Sequence, residues 1–217
     1  MNKTWIIIGS IVLVGLLIWI GIGLYLKWAT PKPVYTIIKS DGQIEVRQYK
    51  KQLYAETEVS ADNFSDASSR AFMIIADYIF GNNTQGNAPE KIAMTAPVVA
   101  QRAEKIAMTT PVIAQENESG VYTVAFIMPE KYQYLEELPT PNNKQVKLRS
   151  VSGYKVVAIQ FPGFFGDKRQ TKKKEEKLYK WAEANGYVPI SSPIYAGYDP
   201  PTTPPFLRRN EIMLEIE

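Results

Sequence analysis

Hydrophobic patterning changes character along this chain, from one unbroken apolar run to strand-like alternation interrupted by two helical stripes. Residues 5–26 run 22 positions without a charge, between Lys3 and Lys27. At ~1.5 Å per residue a helix of that length reaches about 33 Å, enough to cross a hydrocarbon core. Trp5, Tyr25 and Trp28 stand near its ends, where amphipathic rings favour the membrane–water interface. A cleavable signal peptide carries a shorter apolar stretch, of roughly 7–15 residues, followed by a small-x-small site. The pattern therefore predicts a tail (1–4), an uncleaved single-pass transmembrane helix (5–27) and a Pro-bearing linker (28–34). Lys3 flanks one end and Lys27, Lys32 and Lys39 the other, so the positive-inside rule does not choose the side on which residues 35–217 lie.

Those residues are sufficient for one domain with its own core. Alternation over 35–40 and 44–49 around Asp41-Gly42 predicts a hairpin, and 53–59 a third strand. A helix follows, with Asp62 or Ser60 as candidate N-cap, ending near Gly81-Asn82. Further strands are expected at 121–128, 146–151, 154–161, 194–198 and 211–216. A second helix opens at Asp167-Lys-Arg-Gln170, at capping-box spacing, and stops at Asn185-Gly186. Each half reads as paired strands, a loop, one helix, then paired strands. That order predicts an α+β domain with a pseudo-twofold arrangement.

The first domain helix is apolar on two sides. Ala67, Ala71, Ile74, Ile75 and Tyr78 form a core stripe at helical spacing. Phe72, Met73, Ala76 and Ile79, beginning beside small Ser69, form another, which suits either burial under a neighbouring loop or a ligand cleft. Next comes a duplication: Lys91-Ile-Ala-Met-Thr-Ala-Pro-Val98 recurs fourteen residues later as Lys105-Ile-Ala-Met-Thr-Thr-Pro-Val112. Both copies read as strands whose even spacing gives Met94 and Met108 the same parity. Pro97 and Pro111 mark an edge, a bulge or a strand entry.

Composition narrows the chemistry. The chain has no Cys and no His, which removes the usual serine and cysteine triads, haem ligation by imidazole or thiolate, and all but carboxylate zinc sites. No paired-carboxylate constellation is legible. A net charge of +3 argues against nucleic acid as the main partner. Iron could still meet a Tyr phenolate or a Met thioether; Met94 and Met108 suit that role or that of flexible core filler. The basic run Lys168, Arg169, Lys172, Lys173, Lys174 and Lys177 is a solvated helix face, a contact for anionic lipid headgroups, or one for ligand carboxylates.

The twin segments, Phe126-Ile-Met-Pro129, Leu138-Pro-Thr-Pro141, Ala196-Gly-Tyr-Asp-Pro-Pro201 and Arg208-Arg-Asn-Glu211 together resemble the SOUL haem-binding protein family. Tyr49 in Glu45-Val-Arg-Gln-Tyr49 and the helix at 71–78 also fit, so the resemblance covers residues 35–217. It implies a distorted antiparallel β-barrel with two long helices and no established catalytic activity. It also implies haem or another tetrapyrrole bound in a hydrophobic cleft beside the first domain helix, lined by Ser69, Phe72, Met73 and Ala76. A His proposed as axial ligand in some relatives has no counterpart here, so haem would be held hydrophobically or by Tyr or Met.

The leading expectation is a membrane-anchored, noncatalytic tetrapyrrole carrier or buffer, in contact with membrane lipids. The alternative is a membrane-tethered binding or regulatory module for other amphiphiles or for a protein partner. A small-molecule hydrolase on the same scaffold would need a Glu or Tyr as base.

Overall fold

The computed structural model describes residues 3–30, 32–86, 88–102, 120–164, 167–200 and 202–217. The apolar run forms one helix, α1 (Lys3–Ala29), with Gly23 its buried residue. It is long and apolar enough to cross a membrane, by length and composition, a test that a signal sequence near the N-terminus also passes.

Among the described residues eleven strands follow: β1 (Tyr35–Asp41), β2 (Ile44–Tyr49), β3 (Gln52–Ser60), β4 (Asn83–Thr84), β5 (Val98–Arg102), β6 (Val121–Ile127), β7 (Thr140–Pro141), β8 (Lys147–Val151), β9 (Lys155–Phe161), β10 (Ile194–Gly197) and β11 (Asn210–Ile216). Nine form one antiparallel sheet in the order β1-β2-β9-β11-β10-β5-β6-β3-β8, and β4 pairs with β7 separately. Asp41 pairs with Ile44 across a two-residue turn, where Gly42 takes φ +58°, a conformation glycine adopts without a Cβ penalty.

Among the described residues the domain also has two α-helices, α2 (Phe64–Ile79) and α3 (Lys168–Ala184). Ala67, Ala71, Ile75, Tyr78 and Ile79 of α2 pack with Leu53, Ala55, Ala100, Val124 and Phe126 on β3, β5 and β6. Leu178 and Ala182 of α3 pack with Val46, Val157, Ile159, Ile212 and Leu214 on β2, β9 and β11. Fully burying a large apolar side chain contributes ~1.5–3 kcal/mol, so these two clusters hold the helices down. The other face of the sheet is also lined: Tyr49, Val156, Ala158, Ala196, Tyr198 and Met213 form a third cluster, and Tyr54, Ala125 and Ile127 a fourth.

The sheet is not closed into a barrel. β1 and β8 each have one ladder partner, and six of the seven residues of β1 are exposed. A register shift between Ile37 and Lys39 disrupts the edge that closure would require, as a bulge does. The sheet nevertheless curls: the Tyr54 hydroxyl on β3 lies 2.9 Å from that of Tyr154, next to β9, although five places separate those strands in the sheet order.

Two helix starts differ in detail from expectation. Asn63, neither Asp62 nor Ser60, caps α2, accepting from the Asp66 N–H. Asp167 caps α3 as expected, accepting from Arg169 and Gln170. Gln170 does not close a capping box; its amide donates to the Pro162 carbonyl.

Candidate functional site

Helix geometry places the sequence-predicted α2 residues. At ~100° per residue, positions 69, 72, 73, 76 and 80 fall within an arc of about 100°, opposite the buried stripe. Ser69, Phe72, Met73, Ala76 and Phe80 therefore share the outer face. Phe72 is 36 % exposed, Met73 72 % and Phe80 58 %. Ala76, small and flanked by larger neighbours, is itself buried. The rotation also corrects the outer stripe: Ile79 turns inward, only 1 % exposed, within the α2 core, and Phe80 takes its place.

The face is rigidly supported. The Phe72 ring lies 5.8 Å from that of buried Phe126. The Tyr78 hydroxyl donates to the Pro139 carbonyl at 2.9 Å, tying α2 to the Leu138-Pro-Thr-Pro141 segment. Ser69 Oγ donates to the Ser65 carbonyl within its own helix, so the polar end of the stripe makes no outside demand.

The first twin copy is extended but is not a ladder strand over residues 91–97; β5 begins at Val98. Pro97, after a cis Ala96–Pro97 bond, has no N–H to give a ladder. The segment is instead pinned singly: the Ile92 N–H donates to the Ile79 carbonyl at the end of α2, and Thr95 Oγ1 donates to the Ile127 carbonyl at the end of β6. Ile92 and Ala96 are buried, whereas Met94 between them is exposed. Met94 is thus partly open to solvent at 37 % exposure and not buried inner-face filler. Met108 and the whole second copy lie outside the described residues.

A second constellation escaped sequence reasoning. Arg47 grips Glu211 bidentately at 2.8 and 3.0 Å. The Tyr198 hydroxyl donates to the same carboxylate at 2.7 Å and Arg209 at 2.9 Å. Glu45 pairs with Arg47 from its open side, Asp199 accepts the Arg209 N–H, and the Arg47 guanidinium lies over the Tyr35 ring. Burial works to raise the Glu211 pKa, but the Arg47 and Arg209 charges and hydrogen bonds outweigh it and hold the carboxyl below its usual range. The Glu45-Val-Arg-Gln-Tyr49, Ala196-Gly-Tyr-Asp and Arg208-Arg-Asn-Glu211 motifs thus converge on one ionic knot. The signal that marks it in the sequence is period-2 alternation: Glu45, Arg47 and Tyr49, like Arg209 and Glu211, occupy alternate strand positions.

Beyond the knot the curled sheet lines a half-open pocket of about 90 Å³ bordered by Val99, Ala125, Arg149, Tyr154, Ile194 and Glu215 among others. Tyr49 stacks on Tyr154 at 5.1 Å, and Tyr54 bonds both Tyr154 and Gln52. Burial pushes the Tyr54 hydroxyl up to about 12. Pockets for drug-sized ligands run to roughly 300–1,000 Å³, so this interior is too small for a macrocycle. Among the described residues no cluster of carboxylates could hold a metal ion.

The sequence model of the SOUL heme-binding protein family matches residues 30–215. No curated protein matches the chain significantly. Solved structures share the fold. The C-terminal domain of EcmrR has a TM-score of 0.58 at 13 % identity, covering 85 % of this chain and 98 % of that one. EcmrR in its DNA complex has 0.56 at 14 %, covering 81 % and 57 %. A hydrolase from Listeria innocua has 0.51 at 12 %, covering 88 % and 95 %.

Proposed function

This chain belongs to the SOUL haem-binding family, and on that premise we propose that it is a membrane-anchored, noncatalytic carrier or buffer of haem or another tetrapyrrole. The macrocycle lies on the outer face of α2, against Phe72, Met73 and Ala76, with Phe80 extending the platform and Ser69 at its polar end. One observation carries this reading: α2 presents an exposed, contiguous apolar stripe on a helix whose opposite face already supplies the core. Apolar surface in such a patch is suited to a ligand of matching area. With neither His nor Cys in the chain, binding is chiefly hydrophobic, and among the described residues the exposed thioethers are Met73 on the platform itself and Met94 in the first twin copy.

The noncatalytic reading is supported by Glu211, the one buried carboxylate among the described residues. Both its oxygens are occupied by Arg47, Arg209 and Tyr198, leaving it no free capacity as a general base. α1 anchors the domain in lipid as a single pass, and the mild net charge gives no basis for a nucleic-acid partner. The α2 and α3 halves of the sheet are read as a pseudo-twofold pair.

The test is titration of residues 30–217 with haem and, separately, with iron-free porphyrin. Removing α1 takes away the lipid into which haem would itself partition. A Soret shift with both ligands at micromolar concentration is expected, weakened by Phe72→Asp. No spectral change from a folded domain overturns the reading.

A further inference from the structure

We infer that the proline loop around Thr202–Leu207 inserts into the same bilayer that α1 crosses, as a second, re-entrant membrane contact. The inference rests on the anchor reading of α1. Three contacts dock the loop along the helix. The Trp19 indole N–H donates to the Thr202 carbonyl at 2.6 Å. A Cβ on Gly23 would stand 2.8 Å from Pro204 Cδ, so only glycine admits that approach. Lys27 Nζ donates to the Leu207 carbonyl at 3.1 Å. The loop thus climbs beside α1 from Trp19 to Lys27, about 12 Å at ~1.5 Å per residue.

Placing the middle of the 22-residue uncharged run at the centre of a ~30 Å hydrocarbon layer sets the depths. Lys27 then lies just outside that layer, Gly23 a few ångströms inside it, and Trp19 about 10 Å inside it. The loop must share those depths.

Its chemistry suits them. Residues 200–207 read Pro-Pro-Thr-Thr-Pro-Pro-Phe-Leu, with no charge and four prolines that lack an N–H. Irregular backbone at membrane depth requires satisfied polar groups; the carbonyls of Thr202, Thr203, Pro205 and Leu207 find donors within the protein, and the buried Thr203 hydroxyl is left without a partner. Thr202 is served by Trp19, Thr203 by the Arg208 side chain, Pro205 by Gly163 and Arg208, and Leu207 by Lys27. Charges return with Asp199 at the loop's mouth and with Arg208, whose guanidinium reaches back to the Thr203 carbonyl. There the aromatic and basic groups expected of an interface gather: Phe206 is 64 % exposed and Phe164 54 %, the Arg208 guanidinium lies over the Phe164 ring, and exposed Lys168 and Arg169 open α3 nearby. The basic start of α3 is thereby placed at the headgroup level.

The chain has no cysteine, so single-Cys variants of the full protein give unique nitroxide sites. Leu13→Cys, Thr202→Cys, Phe206→Cys and Glu58→Cys are labelled in phosphatidylcholine nanodiscs, and collisions with oxygen and with a water-soluble nickel chelate are compared. The expected depth order is Leu13, then Thr202, then Phe206 at the boundary, with Glu58 in water and nickel access at Thr202 reduced several-fold from Glu58. Nickel access at Thr202 and Phe206 equal to that at Glu58, with Leu13 in lipid, overturns the loop insertion and leaves the anchor standing. A water-accessible Leu13 label overturns the anchor reading and this inference with it.

Discussion

Two regions of the domain depart from ordinary burial in opposite senses. At the Glu211 knot, two guanidiniums, a carboxylate and two phenols sit inside the curled sheet, where charges are rarely tolerated. Arg47 and Glu211 are only 1 % and 0 % exposed, yet every charge there is bonded to another group. On the outer face of α2, Phe72, Met73 and Phe80 sit in the open with no core left to fill. A buried polar network with every group matched spends its interactions on the fold. An exposed apolar stripe keeps its interactions in reserve for a ligand. The contrast assigns structure to the first region and binding to the second, and each assignment can be broken.

The largest expected effect is at the knot. Glu211→Gln takes the buried counter-charge from Arg47 and Arg209, leaving Arg47 only Glu45; breaking comparable buried pairs costs about 3–5 kcal/mol. Chemical denaturation of residues 30–217 should show the midpoint falling accordingly, with ligand lost only as the fold is lost. If the variant stays fully stable yet no longer binds porphyrin, the knot is the site and the contrast fails. Acid should act on the same carboxylate. Because its folded pKa is lowered, the stabilisation is present above the unfolded Glu value of about 4.3 and disappears as pH falls through the folded value.

A smaller effect is expected at the alkaline end. Tyr54 is raised to about 12 in the fold, so stability is full below the unfolded value of about 10 and is lost as pH rises from there through the folded value. The stability at stake is on the order of 3 kcal/mol. Equilibrium unfolding at pH 9 and above checks this, and Tyr54→Phe should flatten the alkaline slope.

The same contrast explains which features are legible in the chain and which are not. The β1–β2 turn at Gly42, the Asp167 cap of α3 and the inner α2 stripe are local patterns of turn chemistry or 3.6-residue spacing and are found, while the outer stripe is found without Ile79. Apolarity alone groups Ile79 with the outer stripe; the 100° step turns it toward the core. Residues 91–97 alternate like a strand, but alternation cannot distinguish a hydrogen-bonded ladder from an extended stretch pinned at Ile92 and Thr95. Barrel closure depends on how β1 and β8 meet and not on either strand's own pattern, which is why strand alternation does not reveal that the sheet stays open. The knot is legible only in halves: Glu45-Arg47-Tyr49 and Arg209-Glu211 each alternate visibly, but 164 positions separate Arg47 from Glu211, and no local rule brings them together.

At the α2 face, Phe72→Asp should weaken porphyrin binding by at least about tenfold, equivalent to ~1.4 kcal/mol. Its cost to the fold should combine the aromatic contact with Phe126, about 0.5–1.5 kcal/mol, with the lost burial of the covered part of the ring, roughly 1–2 kcal/mol. Fluorescence titration and denaturation of the same preparation separate the two effects. Unchanged porphyrin affinity would remove the face as the binding platform and leave its exposed apolar stripe without a ligand.

The smallest effect is expected from Met94→Leu, and it discriminates most finely. Leucine preserves the apolar volume and removes only the thioether, a weak, soft ligand for iron. Affinity for iron-free porphyrin should change by less than about threefold, under ~0.7 kcal/mol, since nothing but packing is altered. If Met94 reaches the iron, the haem spectrum shifts in position or spin state while the porphyrin spectrum does not. If neither changes, Met94 does not reach the iron, and Met73 is the thioether left on the platform. A loss of both ligands to the same extent would instead extend the platform from α2 to residues 91–97, making the first twin copy part of the binding face through its shape and not its sulfur.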